Sequence, residues 1–518
     1  MRPPTLNDYR EVAAPGTVEF LCRLSEKVRG RSFLNINSTK EGGGVAEILM
    51  RLVPLMNDLG VDASWEVLEG NPEFFRVTKA FHNALQGEEQ VITEAMYENY
   101  LETNRENARR LAPNADLVMI HDPQPAALVL TRPPEGAWIW RCHIDASRPQ
   151  RRVWAFLRRF VERFDAAVFS LPAFAQRLPI PQYLIYPSID PMSDKNRELS
   201  DVEVAGILAR LGLSRDKPIL LQVSRFDRFK DPVGVINAYR LVKRRFDCRL
   251  VLAGGGAIDD PEGKIVLAEV RDAAGQDTDI HVLELPVDAH LEINALQRAA
   301  TVVIQKSTRE GFGLTVAEAM WKAKPVIGGA VGGITAQILY DVTGYTVTSV
   351  EGAAYRILYL LSNPEAAARI GRIAREHYPK SGAPPDAARR SDRRNTTSHG
   401  AAGGRNRSPA RRIGGVFGAV GSACGRRGRV AAIDRSGRAA ARAFRNGGPT
   451  RGRRRAPRGD SPRGPTPPRR RGQTRRRRGA SQTSPPRVVY RGRREGRAGV
   501  SAACIGVRQR RRSSPAAR

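Results

Sequence analysis

A regular alternation of short apolar runs with segments of helical period is the feature that most limits the possible folds. Between residues 31 and 377, β-rich runs such as LVMIHD (117–122) and PILLQVS (218–224) are followed by segments with apolar residues at helical spacing. This pattern is typical of parallel sheets whose strands are joined by crossover helices. Six such runs precede residue 190 and six follow it, so the sequence predicts an α/β fold with two sheets.

A polar stretch from Asp190 to Ser200 separates the two groups of runs and predicts the domain boundary. We assign residues 1–190 to an N-terminal domain, residues 191–377 to a C-terminal domain and residues 378–518 to a tail. Ligands of parallel sheets bind outside the carboxyl ends of the strands. Two such domains facing each other would therefore enclose a binding cleft.

The tail differs from the rest of the chain in charge. Residues 381–518 hold 38 Arg, no Lys, four Asp and one Glu, a net charge of +33, whereas the preceding 380 residues hold 47 basic and 48 acidic residues. The charge of +32 for the whole chain therefore says nothing about the substrate of the two domains. Because so arginine-rich a segment buries too little apolar surface to offset chain entropy, the tail is predicted to be disordered.

Two interpretations of the tail remain open. An arginine-rich segment can bind nucleic acid or another polyanion without sequence specificity. Alternatively, the segment is coding DNA translated out of its original frame, because GC-rich DNA read in the wrong frame yields Arg, Gly, Ala and Pro but almost no Lys. The absence of Lys from residues 381–518 and the abrupt change after His377 favour the second interpretation.

The remaining composition predicts a cytoplasmic protein that does not contact a membrane. No apolar run reaches the roughly 18 residues of a membrane-spanning helix, and the first sixteen residues lack the apolar centre of a signal peptide. Cys22, Cys142 and Cys248 are scattered, without the spacing of a metal site or a disulfide framework.

A charged loop in the second domain is the first candidate binding element. Arg225 and Lys230 lie five residues apart in SRFDRFKD, directly after a predicted strand. At the carboxyl end of a strand, the two cations could clamp a diphosphate. The alternative is a solvated charged loop, which such runs usually are.

Two carboxylates eight residues apart, Glu310 and Glu318, flank a glycine-rich turn that follows a later strand. The N–H groups of Gly313, Leu314 and Thr315 would open the next helix and face an anion bound above them. A neighbouring carboxylate would accept hydroxyl groups of a sugar or a ribose. Alternatively, Glu310 only begins a helix and Glu318 lies on its surface.

The first domain carries two comparable features at strand ends. Gly43 and Gly44 open a helix directly after a strand, where the backbone could approach a phosphate or a sugar hydroxyl; a plain tight turn is the alternative. Asp122, Gln124 and His143 follow two further strands and are predicted to face the same cleft. The alternative for a histidine there is a buried core residue.

The sequence predicts no metal site. Asp277 and Asp279 form the one D-x-D in the chain, and they lie in a polar loop that precedes a strand and follows no strand end. We interpret this loop as solvated, since nothing else in the chain gathers ligands for a cation.

Together these motifs resemble the retaining nucleotide-sugar glycosyltransferases of GT-B fold, glycosyltransferase family 4. Longer strings resemble the trehalose synthases of that group, over a region from about Gly16 to His377. These strings are NINSTKEGGGVAEIL, FFRVTKAFHNALQG, HDPQPAAL, RCHIDAS, PSIDPMSDKN and VSRFDRFKDPVGVI.

The resemblance implies two facing Rossmann-like domains and a reversible transfer of glucose from a nucleoside-diphosphate glucose to free glucose, forming α,α-trehalose. It implies no metal or other cofactor. Sugars and the nucleotide sugar are the expected partners, and a homodimer is among the assemblies that it allows. A retaining trehalose phosphorylase, which uses phosphate and trehalose, shares this architecture and stays an alternative; a nucleic-acid binder acting through the tail is another.

The resemblance also implies a role for each candidate residue. Arg225 and Lys230 would hold the donor diphosphate, Glu310 would lie near the donor glucose and Glu318 would accept the ribose hydroxyls. The remaining donor contacts and the acceptor contacts are implied as follows: Gly43, Gly44, Gly313, Leu314 and Thr315 at the donor, and Asp122, Gln124 and His143 at the glucosyl ring and the acceptor.

One departure from the family pattern concerns the end of the second domain. Chains of this fold usually finish with a helix that crosses back and packs on the first domain, but here the arginine-rich tail begins at about Tyr378. The departure predicts lower stability and poorer domain closure, which restoration of an in-frame helix would reverse.

Overall fold

The computed structural model describes residues 4–255 and 262–377, which form two six-stranded parallel sheets joined by helices. The first sheet has the strand order β2-β1-β3-β4-β5-β6. Its strands are β1 Ser32–Asn37, β2 Asp62–Val67, β3 Leu117–His121, β4 Ala137–Cys142, β5 Ala166–Phe169 and β6 Gln182–Leu184.

The second sheet has the strand order β12-β11-β10-β7-β8-β9 and is also parallel throughout the pairs described. Its strands are β7 Ile219–Val223, β8 Arg249–Gly254, β9 Ile280–Glu284, β10 Val302–Gln305, β11 Val326–Gly329 and β12 Tyr345–Val347.

Helices connect the strands in both sheets. In the first part of the chain they are α1 Thr17–Ser25, α2 Gly44–Asp58, α3 Pro72–Leu85, α4 Glu94–Leu111 and α5 Arg151–Val161. In the second part they are α6 Asp201–Arg210, α7 Pro232–Lys243, α8 Gly263–Ala274, α9 His290–Ala299, α10 Leu314–Trp321, α11 Gly332–Gln337, α12 Val350–Ser362 and α13 Pro364–His377. None of the helices in residues 4–255 and 262–377 is both long and apolar enough to cross a membrane.

The inner strands of each sheet are buried on both faces, which explains why they are largely apolar, whereas the edge strands β2 and β9 are partly exposed. Strand β3 is buried along its whole length, and neighbouring residues of one strand enter different clusters, as Phe33 and Leu34 do on β1. Continuous apolar strands are expected where helices cover both faces of a parallel sheet. The predicted α/β fold with two parallel sheets is confirmed.

Both sheets change the direction of their strand order next to a central strand. In the first sheet, β1 lies between β2 and β3; in the second, β7 lies between β8 and β10. At such switch points the connections leave toward opposite faces and open a crevice at the carboxyl ends of the strands. The four loops that follow β1, β3, β7 and β10 are those that carry most of the candidate residues.

The segment between the two sheets is partly buried. The first sheet ends at Leu184 and α6 begins at Asp201, but within this stretch Lys195 and Asn196 are buried. The boundary predicted at residue 190 falls in this segment and stays a prediction. The predicted disorder of the tail and the missing crossover helix concern residues 378–518, outside the described residues.

Candidate active site

The helix starts of the two halves of the chain meet at the cleft. A Cβ added to Gly44, at the start of α2, would lie 2.9 Å from the Cδ1 of Leu314, at the start of α10. The preceding residues, Gly43 and Gly313, have φ angles of +92° and +85°, which favour glycine. Because each helix N-terminus carries a partial positive charge, the contact places two anion-attracting ends side by side.

The predicted charged loop is held rigidly after β7. The Asp227 carboxylate accepts a hydrogen bond from the Phe229 N–H at 2.8 Å, and the Gln222 side chain donates to the Lys230 carbonyl at 2.8 Å. Arg225 begins the loop, and Lys230 ends the single 3₁₀ turn within it. These bonds fix where Lys230 leaves the backbone.

Lys230 and Glu310 lie together, as the cleft prediction requires. The Lys230 Nζ is 2.7 Å from the Glu310 Oε2, which also accepts a hydrogen bond from the Ser307 hydroxyl at 3.1 Å. Glu310 is only 7% exposed. An anion bound beside Lys230 would contact the same ammonium group as Glu310. The Glu310 carboxylate, which can accept hydrogen bonds from hydroxyl groups, would then lie next to that anion.

Glu318 is buried inside the protein, so the alternative of a surface position for it is wrong. Its Oε1 lies 3.2 Å from the Lys195 Nζ, and its Oε2 accepts a hydrogen bond from the Gln297 amide at 2.8 Å. Burial alone would raise the pKa of Glu318, but Lys195 and Lys322 hold that pKa below its ordinary value. The carboxylate is therefore charged and able to accept hydroxyl hydrogens.

Lys195 connects this carboxylate to α2, a helix of the first half of the chain. Its Nζ lies 2.9 Å from the Oε1 of Glu47 on α2 as well as 3.2 Å from Glu318. Although burial disfavours the charge on Lys195, the two carboxylates raise its pKa above the ordinary value. Thr315, another predicted donor contact, uses its hydroxyl to donate to the Gln305 side chain at 3.2 Å.

Asp122 and His143 are in direct contact in the first half of the site. The Asp122 Oδ1 accepts a hydrogen bond from the His143 backbone N–H at 2.7 Å. Asp122 has a φ angle of +64°, and its carbonyl accepts a hydrogen bond from the Trp140 indole at 2.9 Å. A Cβ added to Gly311 would clash with the His143 carbonyl oxygen, so His143 lies against the loop that carries Glu310.

Gln124 is held differently from the other acceptor candidates. Its carbonyl accepts a hydrogen bond from the Asn104 side chain on α4 at 3.1 Å, whereas its own side-chain oxygen is buried and has no hydrogen-bond partner among the described residues. The structure joins Asp122 to His143, but it shows no bond from Gln124 to either within that part of the chain. The role of Gln124 stays a prediction.

Lys79 and Lys195 are functional candidates that the sequence analysis missed. Lys79, on α3, is 7% exposed and lies 2.9 Å from the Asp227 Oδ2, so a helix of the first half supports the charged loop of the second. The burial of Asp227 would raise its pKa, but Lys79, Arg225 and Lys230 hold the pKa below its ordinary value. Lys79 lies in FFRVTKAFHNALQG and Lys195 in PSIDPMSDKN, two of the strings that resemble trehalose synthases. That resemblance was the one feature of the sequence that could have indicated a functional role for them.

The D-x-D loop is not simply solvated. Asp279 lies 3.0 Å from the Lys217 Nζ and 2.6 Å from the Lys243 Nζ, so it forms a structural ion-pair cluster. In the described part of the chain, no group of three or more His, Cys, Asp or Glu side chains is placed to hold a metal ion.

A half-buried histidine near the site, His82, predicts a loss of stability in acid. Burial, with Lys79 and Arg225 nearby, lowers the pKa of His82 to about 3 from an ordinary 6.5. Between these two values the unfolded chain binds more protons than the folded chain, so the free energy of unfolding falls as the pH falls. One such group contributes a slope of up to about 1.4 kcal/mol per pH unit.

We therefore expect His82→Gln to reduce the pH dependence of stability between about pH 6 and 4 by roughly that slope. Urea denaturation at several pH values measures it. His377→Gln, at the exposed end of α13, is the matched control and should leave the slope as in the parent chain. An unchanged slope in His82→Gln would contradict the lowered pKa of His82 in the folded protein.

Comparisons with known proteins agree with this architecture. Residues 35–176 match the family described as trehalose synthase, N-terminal domain, and residues 207–377 match glycosyl transferases group 1. The trehalose synthase of Pyrococcus horikoshii is 48% identical over 381 residues, which cover 72% of this chain and 92% of the relative. A trehalose phosphorylase of Pleurotus pulmonarius is 28% identical and is covered over 58% of its length, with 72% of this chain.

Solved structures show the same fold at low sequence identity. The UDP-forming α,α-trehalose-phosphate synthase of Burkholderia xenovorans superposes with a TM-score of 0.52 at 15% identity, covering 67% of this chain and 96% of that structure. The two sheets therefore form the GT-B fold that the sequence predicts. The chain is a hexosyltransferase whose glycosyl transfer is related to trehalose. With matching families in both halves and 92% of the Pyrococcus protein covered, it belongs to the trehalose synthase family.

Proposed function

We propose that the protein transfers glucose from a nucleoside-diphosphate glucose to free glucose, and that the product is α,α-1,1-linked trehalose. The observation that carries this proposal is the convergence of two helix N-termini and a charged loop at one gap. The start of α2 at Gly44 touches the start of α10 at Leu314, and Lys230 contacts Glu310. This combination suits a diphosphate joined to a sugar.

The donor would be held along its length by groups that complement each of its parts, with cations at the diphosphate and carboxylates at the hydroxyl groups. Arg225, Lys230 and the two helix N-termini face the diphosphate, and the buried carboxylate of Glu318 accepts the ribose hydroxyls. Glu310, paired with Lys230 at 2.7 Å, accepts hydroxyls of the donor glucose. A preorganised set of positive groups stabilises the charge that develops on the diphosphate as it leaves.

The acceptor glucose would bind on the side of the first sheet, near Asp122 and His143. In the transfer, the bond between the donor C1 and the phosphate oxygen breaks, and a bond between C1 and the anomeric oxygen of the acceptor forms on the same face. The acceptor hydroxyl gives its proton to the leaving phosphate oxygen. Contact between the two halves of the chain would exclude the water that otherwise hydrolyses the donor.

We propose further that the reaction needs no metal ion. In many transferases a divalent cation neutralises the leaving diphosphate. Here Arg225, Lys230 and the helix N-termini would supply that positive charge. Turnover in the presence of excess chelator is the expected result, and a requirement for added Mg²⁺ or Mn²⁺ would overturn this part of the proposal.

The test mixes the purified full-length chain with glucose and either ADP-glucose or UDP-glucose, in chelator, and follows the products by NMR. We expect an α,α-1,1 disaccharide and one equivalent of nucleoside diphosphate. A parallel tube holds trehalose and inorganic phosphate. Formation of glucose 1-phosphate there, without product in the first tube, would assign the phosphorylase reaction, since the same cations could bind free phosphate.

A further inference from the structure

Three side chains form a hydrogen-bonded row across neighbouring strands of the first sheet, ending at the cleft. Asn35 lies on β1, His121 ends β3 and His143 follows β4. The Asn35 Oδ1 is 3.2 Å from the His121 Nε2, and the His121 Nδ1 is 3.0 Å from the His143 Nε2. Asn35 and His121 are buried, whereas His143 is partly exposed at the cleft.

The direction of the hydrogen bonds in this row is determined by Asn35. The Ser64 carbonyl oxygen can only accept a hydrogen bond, so the Asn35 atom 3.3 Å from it must be the Nδ2 donor. The other end of the amide, the Asn35 Oδ1, therefore faces His121. The His121 Nε2 therefore carries a hydrogen and donates to Asn35.

Both imidazoles are neutral, so each carries one hydrogen. Burial and the charge of Arg141 lower the pKa of His121 to about 3 and hold the pKa of His143 well below its ordinary value. With its hydrogen on Nε2, His121 presents a lone pair at Nδ1. His143 must then donate to it through Nε2, which leaves a lone pair on the His143 Nδ1.

The opposite arrangement is unfavourable for a reason of geometry. If His143 carried its hydrogen on Nδ1, then His121 would have to donate through its own Nδ1. Its Nε2 lone pair would then face the Asn35 oxygen lone pair at 3.2 Å, inside the protein, with neither group satisfied. Buried polar atoms are seldom left in that state.

We propose that Asn35 and His121 are positioning residues that fix His143 in the tautomer protonated at Nε2, so that its Nδ1 accepts a hydrogen bond from a sugar hydroxyl. Within the described residues, His143 has hydrogen bonds at its backbone N–H and its Nε2, and its Nδ1 has no described partner. The identity of the ligand as a sugar rests on the proposed function; the tautomer does not.

The arrangement has a chemical consequence for glucosyl transfer. The glucosyl carbon gains positive charge in the transition state of glycoside chemistry. A neutral histidine that only accepts hydrogen bonds adds no repulsive charge beside it. Among the described residues, the charged groups that act on the row are Arg141, whose charge lowers the pKa of both rings, and Asp122, whose carboxylate accepts a hydrogen bond from the His143 backbone.

The first experiment measures the tautomer directly in the full-length protein without substrate. Nitrogen NMR of the ¹⁵N-histidine-labelled chain, with His121→Asn and His143→Asn used for assignment, should show both rings protonated at Nε2 and unprotonated at Nδ1 between about pH 6 and 8. A charged ring, or a hydrogen on the His143 Nδ1, would overturn the proposal.

The second experiment changes the row at its buried end. Asn35→Asp replaces the neutral acceptor by a carboxylate, which favours a charged histidine pair. In Asn35→Asp we expect the His121–His143 pair to take up a proton within about pH 5 to 8 in the NMR titration. The plot of kcat against pH should show a new inflection in the same range. Asn35→Leu removes the hydrogen-bond acceptor without adding charge. It should leave both tautomers of each histidine populated, without creating that inflection. Identical spectra for the parent and both variants would overturn the proposal.

The third experiment tests His143 as an acceptor, using fluorinated glucoses. Fluorine in place of a hydroxyl keeps some capacity to accept a hydrogen bond but cannot donate one. At the hydroxyl that contacts His143, the deoxy and the deoxyfluoro sugars should both lower kcat/KM of the parent enzyme by about 10- to 100-fold relative to glucose. In His143→Ala, glucose and the two analogues should have similar kcat/KM values. A fluoro analogue that keeps most of the activity would overturn the acceptor role. Absence of all turnover would contradict the proposed function, while the NMR result stands alone.

Discussion

Replacing Lys230 by methionine is expected to lower kcat/KM for the nucleoside-diphosphate glucose by about 10²- to 10³-fold, the effect typical of removing one group that stabilises developing negative charge. Lys230 is the cation placed 2.7 Å from Glu310, where the diphosphate and the donor glucose would join. A large part of the loss should fall on kcat, because the charge on the phosphate grows as the bond to glucose breaks.

The control for this result is Arg228→Met. Arg228 lies in the same 3₁₀ turn but is exposed and pairs with Glu269 at the surface. It should therefore keep kcat and KM within a few-fold of the parent values. Since Lys230→Met leaves Glu310 without its partner, the melting temperature and the double variant Lys230→Met with Glu310→Gln are measured alongside. Full activity of Lys230→Met in a folded protein would contradict the donor assignment.

Replacing Lys79 by methionine is expected to destabilise the protein by about 3–5 kcal/mol, because the Asp227 carboxylate would stay buried without its partner. The pair is 2.9 Å apart and both side chains are less than a tenth exposed. Asp227 also caps the turn that positions Lys230, so affinity for the donor should fall together with stability. Chemical denaturation and the KM for the nucleotide sugar measure the two effects.

The double variant Lys79→Met with Asp227→Asn separates the missing charge from the missing contact. Removing both charges should recover a substantial part of the stability lost in Lys79→Met, since no unpaired ion remains buried. Lys217→Met, at a partly exposed pair with Asp279, serves as a matched control and should cost at most about 1 kcal/mol. A double variant no more stable than Lys79→Met would show that the charge is not the cause.

The sequence could predict the loops of the site because each one begins where a strand ends. Chain order is enough to find the glycines at Gly43 and Gly44, the charged loop and the two carboxylates, and a parallel sheet places strand ends at one edge. The switch points of both sheets then lie beside these loops. The fold class and the choice of loops therefore required only local patterns.

The remaining contacts depend on residues that are far apart in the chain and whose local patterns are ordinary. Lys79 reaches Asp227 across 148 residues, and Lys195 reaches Glu47 across the same separation. A lysine on an amphipathic helix or in a polar stretch is normally exposed, so neither could be distinguished from a solvated one. The burial of Glu318 was likewise hidden, because its burial depends on the packing of α9 and Lys195 against α10.

The lysine shared by Glu47 and Glu318 limits how members of this family can be recombined. A chimera that tests the proposed donor site would take its second half from a relative, and a junction could be placed in the polar stretch between Asp190 and Ser200. With a junction before Lys195, the lysine and Glu318 would come from the relative and Glu47 from this chain. With a junction near Asp201, Glu47 and Lys195 would come from this chain and only Glu318 from the relative. Either junction separates one of the three charged side chains from the other two, so the second half of the chain and α2, which carries Glu47, would have to be exchanged together.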